Sequence, residues 1–290
     1  MNRENLVIYC KTHSADLTPF RKFLDSFRRH NADGIRMFVS VPEAETVIFL
    51  DFEDAHVRVI SDESYAGSYF TSEKYWGLST GYLNQEICKL AFWEAGYCEN
   101  YLCVDSDAYF IRDFYRKDFM RDDGTPYSVL VMDKDLDIER HYQEFGAWRQ
   151  SMIRKVFEYV GYDDDRMLTC HGMTVLNRSV LENMKEVFLG AKGIGYKDLI
   201  KVSPYEYTWY NVWLQKSRVI PVLAVEPFFK TFHARIEYIF SKIRNLRESD
   251  IAMRYVGIVL NSNWKPKGPP EEYGSVVLWE RLLYKIMKTL

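Results

Sequence analysis

Short apolar runs and amphipathic stretches alternate through the first half of the chain. Leu6-Val7-Ile8-Tyr9-Cys10 is a continuous apolar run and predicts a buried strand. From Asp16 to His30, Leu17, Phe20, Phe23, Leu24 and Phe27 recur at three- and four-residue spacing, with basic residues on the other face. That is the pattern of an amphipathic helix. Arg36 to Val41, stopped by Pro42, and Val57 to Ile60 predict two further strands. Leu83 to Ala95 reads as a helix carrying Ile87, Leu90, Ala91 and Trp93; Tyr101 to Val104 and Tyr127 to Met132 read as a fourth and a fifth strand.

Alternation of this kind predicts an α/β fold, a mainly parallel sheet flanked by helices. In such sheets ligands bind beyond the carboxyl ends of the strands. The second half is looser. Helical stretches are expected near 144–160 and 178–190, a loop from Gly190 to Gly195, and a strand-like stretch from Val219 to Val225. Residues 204–216 are crowded with aromatics. No repeat or linker divides the chain, so residues 1–275 are expected to form one domain, with a first half to about 132 and a looser half after it. Val276 to Leu290 reads as a basic amphipathic helix, a candidate for contact with a membrane surface or for packing on the domain's own core.

Chemistry concentrates where the fourth strand ends. Asp105-Ser106-Asp107 follows the apolar run, and residues i and i+2 of a strand point the same way, so both acids would face one site. Paired carboxylates are hard oxygen ligands for Mg²⁺ or Mn²⁺. An ion so held can bridge a diphosphate and stabilise the charge of a departing nucleoside diphosphate. A competing acidic run, Asp133-Lys134-Asp135-Leu136-Asp137, also follows a strand. Asp163-Asp164-Asp165 reads as a solvated turn.

The run Tyr101-Leu102-Cys103-Val104-Asp105-Ser106-Asp107-Ala108-Tyr109-Phe110-Ile111-Arg112 resembles the DxD segment of GT-A fold glycosyltransferases. Gly81 to Leu90, Ser203 to Tyr210 and Asn261-Ser262-Asn263-Trp264 resemble bacterial GT-A-like proteins linked to surface polysaccharides. The resemblance spans residue 6 to about 264. It implies that Asp105 faces the ribose and the metal, that Asp107 binds the metal directly, and that a late histidine, here His233 in Phe232-His233-Ala234, is a third ligand. Imidazole suits Mn²⁺ better than Mg²⁺. Residues 1–275 would be one catalytic domain, a donor half to about 132 taking a nucleoside-diphosphate sugar and an acceptor half after it taking a glycan or lipid-linked oligosaccharide.

Further candidates follow. Glu206 stands among Tyr205, Tyr207, Trp209 and Tyr210; apolar surroundings raise a carboxylate's pKa and suit a general base, while a helix N-terminal acid after Pro204 is the structural alternative. His171, in Cys170-His171-Gly172, could hydrogen-bond a sugar or phosphate. In this fold class the loop Lys11-Thr12-His13-Ser14 meets the nucleotide, which makes Lys11, Thr12 and Ser14 candidate donor-binding residues. Lys74 is a candidate for the diphosphate, and Gln85 shares a helix face with Lys89 at i, i+4.

Composition narrows the classes. A net charge of −3 gives no basic field for nucleic acid. The five cysteines are odd in number and form no CxxC pair, which predicts a reduced, cytoplasmic protein, at the inner membrane face if the last helix binds lipid. No stretch approaches a membrane span, and the apolar run of the N-terminus is too short for a signal peptide. A nucleotidyltransferase would carry a glycine-rich loop after the first strand, and Lys11 to Ser14 has no glycine. A carbohydrate-binding module would use the same aromatics, which make up 16% of the chain.

Overall fold

The computed structural model describes residues 3–134, 143–233 and 235–260. Asp135, Asp137, the segment Asn261 to Trp264 and the expected C-terminal helix lie outside them. Among the described residues the strands are β1 (Glu4–Lys11), β2 (Met37–Val41), β3 (Val57–Ser61), β4 (Cys98–Cys103), β5 (Ala108–Phe110), β6 (Tyr127–Val129), β7 (Val175–Asn177), β8 (Leu223–Val225), β9 (Phe229–Phe232) and β10 (Gly257–Leu260). Helices of six residues or more are α1 (Leu17–His30), α2 (Thr80–Ala91), α3 (Gln143–Val160), α4 (Arg178–Asn183), α5 (Tyr196–Val202), α6 (Glu206–Ser217) and α7 (Arg235–Ile243).

The main sheet runs β3-β2-β1-β4-β7. Its first four strands are parallel, and β7 joins β4 antiparallel at the edge. Continuous apolar runs suit strands covered on both faces, and β2 is buried along its whole length. Helix α1 turns Phe20, Phe23, Leu24 and Phe27 inward. Phe23 stacks on Phe110 with ring centres 6.1 Å apart, which ties the helix to β5 as well. The expected mainly parallel α/β architecture is the one observed.

Two expectations change. Tyr127 to Met132 is not a member of the parallel sheet: β6 covers only Tyr127–Val129 and pairs with β8 in a separate ribbon. The fifth place is taken by β7, whose three residues are too short to give a periodic signal. Nor is Gly190 to Gly195 all loop. Helix continues through a π-turn, Met184–Leu189, to Lys192, and stops where Gly193 takes a left-handed conformation (φ 64°). Gly195 then begins the entry to α5. Glycine interrupts a helix only where φ must turn positive.

A second sheet, β5-β10-β9, stands at the carboxyl end of the first. Here Gly257 lies under the ring of Phe229. A Cβ at this position would overlap that ring and lie 2.6 Å from the Tyr109 carbonyl oxygen. Gly257→Ala is therefore expected to destabilise the fold by about 1–3 kcal/mol, the usual range for overpacking. A urea midpoint equal to the parent's would show that the β5-β10-β9 packing is not as described.

Candidate active site

Strand β4 stops at Cys103, and Asp105 to Asp107 forms a turn in which the Ala108 amide donates to the Asp105 carbonyl at 3.0 Å. The strand rule that would put both acids on one face therefore does not apply. A different device brings the site together. The Leu260 amide donates to the Asp107 carbonyl (3.1 Å), and Leu260 at the end of β10 is paired with Phe232 at the end of β9. Asp107 and His233 thus flank the end of β10 from its two sides. Two strand spacings separate their backbones by about 10 Å, a gap that an aspartate, an ion and an imidazole can span. Among the described residues no three His, Cys, Asp or Glu side chains are grouped so as to hold a metal ion.

Asp105 already has one carboxylate oxygen engaged. Its Oδ1 lies 3.2 Å from Lys89 Nζ, which also lies 2.8 Å from Glu206 Oε1 and 3.4 Å from Glu86 Oε2, and 5.0 Å from the centre of the Tyr207 ring. Lys89, Glu86 and Glu206 are all buried. Burial alone would lower the Lys89 pKa; the carboxylates, Asp105 foremost, outweigh it and hold the ammonium well above its ordinary range. Burial, and then the Glu206 charge, push Glu86 well above the usual carboxylate range. Glu206 is the first residue of α6, as one expectation had it, but its carboxylate is paired with an ammonium and is not left among aromatic rings.

Lys11 is not a solvated charge. Its Nζ makes a buried ion pair with Asp62 (2.8 Å) and donates to the Thr12 carbonyl (2.8 Å). Thr12 is buried, and its hydroxyl has no hydrogen-bond partner among the described residues. The Ser14 hydroxyl and amide donate to Glu45. Lys74 is exposed, and Gln85 is half-buried on α2.

Asp133, His171, Gly172, Lys230, Thr231 and His233 line one cleft. The imidazoles of His171 and His233 have ring centres 5.0 Å apart. Arg149 of α3 lies beneath. It donates from Nη2 to Asp133 Oδ2 at 2.6 Å and from Nε to His171 Nδ1 at 3.2 Å. Burial first, and then the Arg149 charge, depress the His171 pKa well below its ordinary value. Of the competing acidic runs, Asp133 is therefore tied to a guanidinium, and Asp164 pairs with Arg166 (3.2 Å) in an exposed turn.

Glu86 and Arg149 were not legible as site residues. A signal existed for both: each is a charge on an apolar helix face. Glu86 and Lys89 lie among Leu83, Ile87 and Leu90, and Arg149 is in register with Met152, Ile153 and Val156. Buried charges of this kind are kept only when paired.

No protein-family model matches the sequence, and no curated protein matches it by sequence. Solved structures match by shape. The bifunctional glycosyltransferase WbbM superposes with a TM-score of 0.52 at 11% identity, over 98% of this chain and 52% of that one. The chain thus spans about half of WbbM. Mouse xyloside xylosyltransferase 1 gives 0.48 at 11% identity over 89% of this chain and 98% of its own. The galactosyltransferase LgtC, solved with donor and acceptor sugar analogues, gives 0.48 at 15% identity over 98% and 95%. At 11% identity the likeness to WbbM is one of fold alone, a mixed α/β structure with a mostly parallel central sheet of the GT-A type.

Proposed function

We propose that this chain transfers a sugar from a nucleoside-diphosphate sugar to a glycan acceptor, with a divalent ion held by Asp105, Asp107 and His233. The observation that supports the reading is that β10 brings the Asp105–Asp107 turn and His233 to its two sides at one strand end, beyond the carboxyl end of a parallel sheet. Two carboxylates and an imidazole suit Mn²⁺ or Mg²⁺, Mn²⁺ the better. When bound, such an ion would neutralise the charge of the departing diphosphate.

The chain's own residues would do the rest. Thr12 and Ser14 follow β1, where a nucleotide would lie, with Lys11 fixing that loop through Asp62. Lys89 holds Asp105 and Glu206 on one ammonium, which joins the donor-side acid to the acceptor-side acid. Glu206 is the residue an inverting reaction would use as base. The resemblance of Gly81–Leu90 and Ser203–Tyr210 points to a growing bacterial surface glycan as acceptor. For the membrane, the support is limited to the basic pattern of 276–290; among the described residues no helix is long and apolar enough to cross a bilayer.

A thermal-shift screen of nucleoside diphosphates, with and without Mn²⁺, tests the reading. One nucleotide should stabilise the protein only with the metal, by about 2.7 kcal/mol at a hundredfold excess over its Kd. A metal-independent response, or equal responses to all nucleotides, would count against it. Binding of free glycan alone would favour a carbohydrate-binding module.

A further inference from the structure

Two histidines line the cleft, and either could address a metal ion by residue type alone. The hydrogen bond from Arg149 distinguishes them. A guanidinium has only donors and stays protonated in proteins. The contact of Arg149 Nε with His171 Nδ1 at 3.2 Å therefore requires Nδ1 to be the acceptor. A neutral imidazole has one lone-pair nitrogen and one N–H. With the Nδ1 lone pair engaged, the proton of His171 is on Nε2. An imidazolium would set an N–H against an N–H, so His171 is not a cation while the contact lasts. A metal bond from Nε2 would need that nitrogen's lone pair too, which a neutral ring with Nδ1 already accepting does not have.

Arg149 is itself held in place. It is buried, and its Nη2 is anchored on Asp133 at 2.6 Å. Asp133 takes a left-handed backbone conformation (φ 47°), rare for a residue with a side chain. The order Asp133–Arg149–His171 runs from the rim of the cleft through a buried guanidinium and back to the cleft. Phe145 closes edge-on against the His171 ring, with centres 5.8 Å apart, and leaves little freedom to turn.

We propose that Arg149 is a positioning residue that locks His171 as the Nε2–H tautomer, so that His171 serves the cleft as a neutral hydrogen-bond donor and His233 alone of the two is a metal ligand. The group His171 addresses is an oxygen acceptor, on a phosphate or on a sugar hydroxyl. The inference rests on the transferase reading for its metal and its ligand, but the tautomer does not depend on that reading.

The test begins with the ¹⁵N-edited imidazole spectrum of the full chain, with the His171 signals identified by their loss in His171→Gln. A pyrrole-type Nε2 and a pyridine-type Nδ1 are expected, and in Arg149→Met the two tautomers should mix. An imidazolium or an Nδ1–H tautomer in the parent protein overturns the proposal, whether or not the Arg149 variant folds. Mn²⁺ titration gives the second arm. His233→Gln should weaken Mn²⁺ binding at least ~10-fold, the scale on which even outer-shell changes act at metal sites, while His171→Gln leaves it unchanged. The reverse order overturns the assignment. Unchanged affinity in both variants removes His233 from the metal and contradicts the transferase reading, with the tautomer judged separately on the metal-free spectrum. His171→Ala should weaken Mn²⁺–pyrophosphate if the acceptor oxygen is on phosphate. It should weaken only the sugar nucleotide if that oxygen is on the sugar, and His171→Gln, which keeps an N–H near the Nε2 position, should restore part of the loss. No loss with either ligand overturns the donor role.

Discussion

Asp107→Ala is expected to remove metal-dependent transfer while leaving the fold intact. The Asp107 carbonyl accepts the Leu260 amide and so fixes β10 beside β5. Alanine keeps that bond. The side chain lies at the strand end that also brings up His233, and its loss would take away a carboxylate ligand. A metal that stabilises a leaving diphosphate is worth several kcal/mol in the transition state. A loss of about 3 kcal/mol is ~10²-fold in rate, so activity with the nucleotide sugar chosen by the thermal screen should fall at least that far. Circular dichroism and the urea midpoint should match the parent. Full activity in this variant would end the metal assignment.

Lys89→Met should act on the fold itself. The substitution is close in length and leaves the buried Glu86 and Glu206, and the partly exposed Asp105, without their cation. Breaking a buried pair by removing one partner costs about 3–5 kcal/mol, because the charge left behind has neither water nor counter-ion. The urea midpoint should fall accordingly. Replacing Glu206 by Gln in the same chain should recover part of the loss, since it removes one of the stranded charges, and the coupling can be read from the double-mutant cycle. An unchanged midpoint in Lys89→Met would mean that the ammonium does not hold these acids together. The prediction does not require catalysis, so it tests the cluster independently of the transferase reading.

Much of the first half was legible because its elements bury one face or both. The apolar run before Cys10 and the three- and four-residue spacing of α1 correspond to observed elements within a few residues. A parallel sheet needs strands covered on both sides, and such strands read as uninterrupted apolar runs. The shorter strands were harder. β7, β8 and β9 have three or four residues each, too few for a period, and β8 occupies only the end of the stretch from Val219 to Val225. The position of the Asp-Ser-Asp turn after β4 was also legible, since a turn between two apolar strands needs only local chemistry.

A parallel α/β layer with an acidic turn at a strand end is written in local pattern, because periodicity and apolar runs are properties of neighbouring residues. The sequence also held the candidate ligands Asp105, Asp107 and His233. Which side chains share an electrostatic environment emerges only when distant segments pack. Asp107 and His233 are brought to the end of one strand by pairings between residues more than a hundred positions apart. Lys89 joins acids from a helix, a turn and a second helix. Arg149 fixes the proton of His171 across 22 positions. Pairing partners are chosen by the desolvation of each charge on folding, and that depends on where distant segments pack, which no local pattern records.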